Sequence, residues 1–154
     1  MAELPDDLRA ALEADDAEDL GAVLRRRRPA DFAALMRLIR PAAARTVPGH
    51  LRTKALFALG AWGDPAAVPV ITRALPDLDE RGRMSALSAL DRLGTPEADA
   101  AILAHANDAS PQVRKIAVTA LKKRGTPQAR QAVQEVATSD PVAWVRETAE
   151  RSQE

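Results

Sequence analysis

The chain has 154 residues, 46% of them hydrophobic and 29% charged, with 22 bases balancing 22 acids. That length suits one domain or a short solenoid. The lack of cysteine excludes disulfides and thiolate chemistry, and no apolar run nears the roughly 18 residues of a membrane span. The acidic opening Met1-Ala2-Glu3-Leu4 cannot serve as a signal peptide, so a cytoplasmic location is expected. Arginine outnumbers lysine 18 to 4, a usage that fits a GC-rich bacterial genome.

In chain order, residues 1–20 carry eight acids against Arg9 alone, and residues 21–54 carry nine bases against Asp31 alone. Three amphipathic helices are predicted here, Pro5 to Ala14, Ala17 to Arg27 and Pro29 to Arg40. Leu20, Val23 and Leu24 should face Phe32, Leu35, Met36 and Ile39, and Pro41 to Pro48 is a connector. The run Arg25-Arg26-Arg27-Arg28 sits where cations favour a helix C-terminus. It reads as a solvated helix end or as a partner for the acidic first twenty residues, with phosphate contact as the alternative.

From residue 49 a 31-residue period takes over. Ala55-Leu56-Phe57-Ala58-Leu59 returns as Ala86-Leu87-Ser88-Ala89-Leu90 and as Ala117-Val118-Thr119-Ala120-Leu121. Gly63, Gly94 and Gly125 are placed to end helices; Asp64-Pro65, Thr95-Pro96, Ser110-Pro111, Thr126-Pro127 and Asp140-Pro141 are placed to start them. Helices follow near 50–62, 65–75, 80–93, 96–106, 110–124, 127–138 and 141–151, and Pro69 should kink the second or shift its start. The last copy slips by one residue, since Asp140, Val145 and Arg146 lie 32 after Asp108, Val113 and Arg114. Trp144 is expected to cover the C-terminal end of the core. A fixed period of this length marks stacked supersecondary units. The expected fold is all-α, an α-solenoid of about five antiparallel helix pairs. It forms a single domain over 1–154, with a degenerate cap at 1–48 and regular repeats at 49–151.

The segment from Ala55 to Ile71, with its Gly63-Asp64-Pro65 turn followed by Ala67-Val68-Pro69, resembles the HEAT-like repeat of the phycobilisome-lyase type. The resemblance covers about residues 49–151 and implies helix pairs in a right-handed superhelix that holds a partner protein. It also implies that Arg83, Arg114 and Arg146, each six residues after Asp77, Asp108 and Asp140, form a ladder tying one inter-helix turn to the next. Arg52 has Thr46 at that offset and should be the arginine most free to bind something else.

Side chains that vary while their neighbours repeat are the candidate site. Thr53, Met84 and Lys115 form one row, Phe57, Ser88 and Thr119 a second, and Ala61, Arg92 and Lys123 a third; spacing of four puts each helix's trio on one face. In a HEAT-like stack these nine line the concave surface. The expected function is a non-catalytic scaffold that binds a protein or peptide there, with Phe57 and Met84 as apolar anchors. The alternatives are nucleic-acid backbone binding through Arg52, Lys54, Lys115, Lys122 and Lys123, and an accessory subunit of a chromophore lyase. His50 and His105 lack the His-Glu dipeptides that resemble a di-iron HEAT hydroxylase, and neither a phosphate loop nor a nucleophile elbow is present. No catalytic residue, cofactor or metal is expected.

Overall fold

Alternating caps and stops divide the chain into ten α-helices in a computed structural model that describes residues 4–151. Met1-Ala2-Glu3 and both ends of the expected 1–154 domain therefore lie outside the described residues. The helices are α1 (Asp6–Glu13), α2 (Ala17–Arg25), α3 (Pro29–Ile39), α4 (Gly49–Trp62), α5 (Val68–Ala74), α6 (Glu80–Leu93), α7 (Pro96–Ala104), α8 (Pro111–Arg124), α9 (Pro127–Ser139) and α10 (Ala143–Glu150). They form five pairs, and no strand occurs among the described residues. The longer helices α4, α6 and α8 stack side by side in one layer that α10 completes, with α3, α5, α7 and α9 behind them, and α1 and α2 pack against α4. One contiguous core runs the length of this α-solenoid, from Leu8 and Leu35 through Leu59 and Leu90 to Val145.

The punctuation works atom by atom. Side chains of Asp64, Thr95, Ser110 and Thr126 accept from the first-turn N–H groups of Ala66, Ala98, Val113 and Ala129. Gly63, Gly94 and Gly125 all adopt the left-handed conformation that closes a helix at little steric cost. Pro69 shifts the start of its helix, as expected: Asp64-Pro65 opens a 3-10 turn, Pro65–Ala67, and the α-helix proper begins at Val68 because Pro69 fits only in a first turn. One start differs from expectation. Asp140 does accept from the N–H of Val142, but α10 begins only at Ala143, since the Asp140 carboxylate is also held by an arginine described below.

The one-residue slip is absorbed within the second layer. α7 finishes in a 3-10 turn, His105–Asn107, whereas α9 runs to Ser139 without tightening. A 3-10 residue rises about 2.0 Å against about 1.5 Å in an α-helix, so both segments span about 20 Å and the stack continues undisturbed.

Arg27 ends α2 in the left-handed conformation, the single non-glycine residue to do so among those described. Its guanidinium donates to the Trp62 carbonyl at 2.6 Å and lies 4.8 Å over the Trp62 ring, which itself packs on Phe32. This link fastens α2 to the end of α4. Arg27→Ala keeps the strained backbone and loses the link, whereas Arg27→Gly loses only the link. The alanine variant should therefore be the less stable of the two by about 1 kcal/mol in urea unfolding.

Candidate functional site

Most cations in this chain are occupied with their own fold. The last carbonyls of a helix have no intrahelical donor, and a buried one needs a partner. Arg52, expected to be free, is only 4% exposed and donates to the carbonyls of Leu38, Ile39 and Arg40 at the end of α3. Lys54 donates to the Ala14 carbonyl after α1, and Lys122 to those of Thr148 and Arg151 at the end of α10. Lys123 pairs with Asp91. Of the five cations that a nucleic-acid reading places on phosphates, four are thus engaged, and Lys115 alone has no partner among the described residues.

The arginine run is engaged as well. Arg26 and Arg28 both clamp Asp7, and Arg28 also holds the fully buried Asp31 through two hydrogen bonds. The Arg28 hydrogen bond pulls the Asp7 carboxyl below its ordinary range, and Asp7 in turn raises Arg28 further. The acidic first helix is thereby tied to the α2–α3 turn.

The Asp and Arg residues are paired across repeats, not six residues apart. Arg83 grips the Asp108 carboxylate at 3.0 and 3.1 Å, and Arg114 grips Asp140 at 2.7 and 3.0 Å. The six-residue relation is instead a side-chain-to-backbone hydrogen bond, with the Arg114 guanidinium donating to the Asp108 carbonyl and that of Arg146 to the Asp140 carbonyl. Asp77 is exposed and stands outside the ladder, because Arg52, 25 residues before it, is turned into α3. A shallow cavity of about 390 Å³ lies beside Arg114 and Asp140, where those two charges neutralise one another.

The open face of the α4–α6–α8–α10 layer is different. Of the nine variable residues, Thr53 and Met84 are half-buried, and Phe57, Ala61, Ser88, Arg92, Lys115, Thr119 and Lys123 are exposed. Ser88 and Thr119 turn their hydroxyls back to the Met84 and Lys115 carbonyls of their own helices. The helices are linked laterally by these side chains: the Arg92 guanidinium lies 5.4 Å over the Phe57 ring, and Lys123 reaches Asp91 at 2.8 Å. Between α8 and α10 is a depression of about 510 Å³ bordered by Lys115, Thr119, Lys122 and Trp144. Trp144 therefore lies on this face, 37% exposed, and the end of the core is closed by Val145 and Ala149 instead. The 32-residue slip concealed this, because Trp144 corresponds to Gln112 at the solvent edge of α8 only when the extra residue is counted.

Gly60, which carried no signal in the repeat, marks a close approach of α4 to α6. A Cβ added there would meet the Ala89 Cα at 2.9 Å and the Arg92 Cδ at 3.5 Å. Its missing side chain lets α4 and α6 approach and lets Arg92 lie across to Phe57.

Stacked helix pairs with ladder-tied turns define an α-solenoid. The profile of HEAT repeats matches residues 38–110 and again 100–153, and the chain belongs to this family. No curated protein matches it. HEAT repeats commonly serve as protein-interaction scaffolds. Among the described residues no helix is long and apolar enough to cross a membrane, and no group of three or more His, Asp or Glu is placed to hold a metal ion.

Proposed function

We propose that this chain is a non-catalytic, cytoplasmic interaction module that binds a partner protein on the open face of its long-helix layer, the surface expected to be concave. The repeats from residue 49 are the scaffold and the first 48 residues its cap, in the phycobilisome-lyase type of HEAT-like arrangement that the Gly63-Asp64-Pro65 turn suggests. One observation carries the reading. The two large apolar side chains exposed among the described residues, Phe57 at 50% and Trp144 at 37%, lie on this one face. Large aromatic side chains exposed on one face are the usual anchors of a protein interface. The engaged state of Arg52, Lys54, Lys122 and Lys123 weighs against a nucleic-acid backbone as the ligand.

The test is capture of partners by wild type and by a Phe57→Asp/Trp144→Asp variant of equal helix content. Losing an anchor costs about 2 kcal/mol or more of binding, so the double variant should lose its specific partners. Identical partner lists would overturn the assignment.

A further inference from the structure

We infer that the occupant of the open face is an acidic amphipathic helix of about five turns, laid across α4, α6, α8 and α10 with an apolar side chain at each end. This rests on the protein-binding reading above and names the partner's chemistry.

Three features lead there. The first is secondary structure. The face is built from helices whose backbone donors and acceptors are spent internally, and no strand edge exists among the described residues. An extended peptide would find nothing to pair its own backbone with, whereas a helix arrives with that need already met.

The second is length. Phe57 is on the first helix of the layer and Trp144 on the fourth, three interhelical steps apart. At about 8–10 Å per step the anchors are about 25–30 Å apart, and the close approach at Gly60 favours the shorter value. A helix rising about 1.5 Å per residue covers that distance in about 17–20 residues.

The third is charge. Between the anchors stand Arg92 and Lys115, neither with a carboxylate partner among the described residues. The nearby acids are already taken, Asp91 by Lys123 and Arg124, and Glu147 by Arg151. Carboxylates in the middle of the bound helix would meet these two cations. Its terminal apolar side chain would pack on Trp144 at the edge of the α8–α10 depression, whose cationic lining suits the neighbouring carboxylates.

The probe is a labelled synthetic peptide of that length, alanine-based, with leucine at both ends and glutamate between on the same face. Two controls accompany it, one with lysine for glutamate and one broken by a central proline. The acidic helix should bind, and raising salt from about 0.1 to about 1 M should weaken it about tenfold or more. Arg92→Glu/Lys115→Glu, two surface substitutions, should do the same at low salt. The lysine and proline peptides should not bind. The proposal is overturned if the acidic helix fails to bind, if either control binds equally well, or if the charge-reversal variant binds it unchanged. Continued loss of native partners by Phe57→Asp/Trp144→Asp would then leave protein binding standing and remove only the acidic helix.

Discussion

Arg114→Met should destabilise the C-terminal repeat by about 3–5 kcal/mol, the cost of leaving a buried carboxylate without its cation. The side chains of Arg114 and Asp140 are 10% and 3% exposed, and the guanidinium also donates to the carbonyls of Asp108 and Ala109. Truncation therefore orphans one charge and two acceptors together. Arg114→Lys should recover only part of the loss, because a single ammonium cannot reproduce the two-pronged grip on Asp140. The double variant Arg114→Met/Asp140→Leu should be more stable than Arg114→Met alone, since no uncompensated charge remains. Because a solenoid is held by interactions between nearest neighbours, the damage should stay local. Amide exchange should accelerate across α9 and α10 and change little in α4 and α6.

Acid provides an independent check on the same pair. Burial, the largest single influence, pushes the Asp140 carboxyl up, but the Arg114 hydrogen bonds, the Val142 N–H and the charges of Arg114 and Arg146 together outweigh it. The net effect holds it below its ordinary 3.8. A depressed folded-state value means the stabilisation is complete above the unfolded value and is lost as pH falls through the folded one. Wild type should thus lose this contribution progressively from about pH 4 downward, and the Arg114→Met variant should lack that part of the slope. A variant with the full wild-type acid slope would show that the ladder contributes no linkage.

The elements were legible because their signals are local. A capping oxygen, a first-turn proline and a terminal glycine each act within four residues, so the boundaries of α4, α6 and α8 can be read directly from Gly63, Gly94, Gly125 and Ser110. The ladder was legible as a set of residues but not as a set of pairs, because the partner of each carboxylate lies 25 or 26 residues earlier and is adjacent only once the repeats have stacked. Arg52 was misread: Thr46 at the acid's offset marked it as free, and the uncapped carbonyls before Pro41 claimed it. Seven of the nine residues in the variable rows are exposed and Thr53 and Met84 are half-buried, as their spacing along one face of each helix requires. Trp144 was misplaced for the opposite reason, a register shift whose geometric resolution lies in the 3-10 turn at His105–Asn107.

Gly60→Ala should cost about 1–3 kcal/mol, the usual result of overpacking a close helix crossing, and about 2–4 °C in melting temperature per kcal/mol for a chain of this size. The added methyl group meets backbone at Ala89, which cannot swing aside, so α4 and α6 must separate. Helix propensity acts in the other direction, because alanine is better than glycine in a helix interior by about 1 kcal/mol. A net loss would therefore show that the close approach outweighs the propensity gain, and a stabilised variant would refute the tight packing. The same substitution should reach the open face, since separating α4 from α6 draws Arg92, on α6, away from the Phe57 ring on α4 that it covers. Binding of a partner through Phe57 should weaken in Gly60→Ala even at temperatures where the fold is intact. Gly60→Ala/Ala89→Gly, which removes the methyl group opposite but leaves the Ala89 backbone where it is, should restore part of both. Stability and binding would then be shown to share one distance, the separation of α4 and α6, which determines how far Phe57 stands from the cation that covers it.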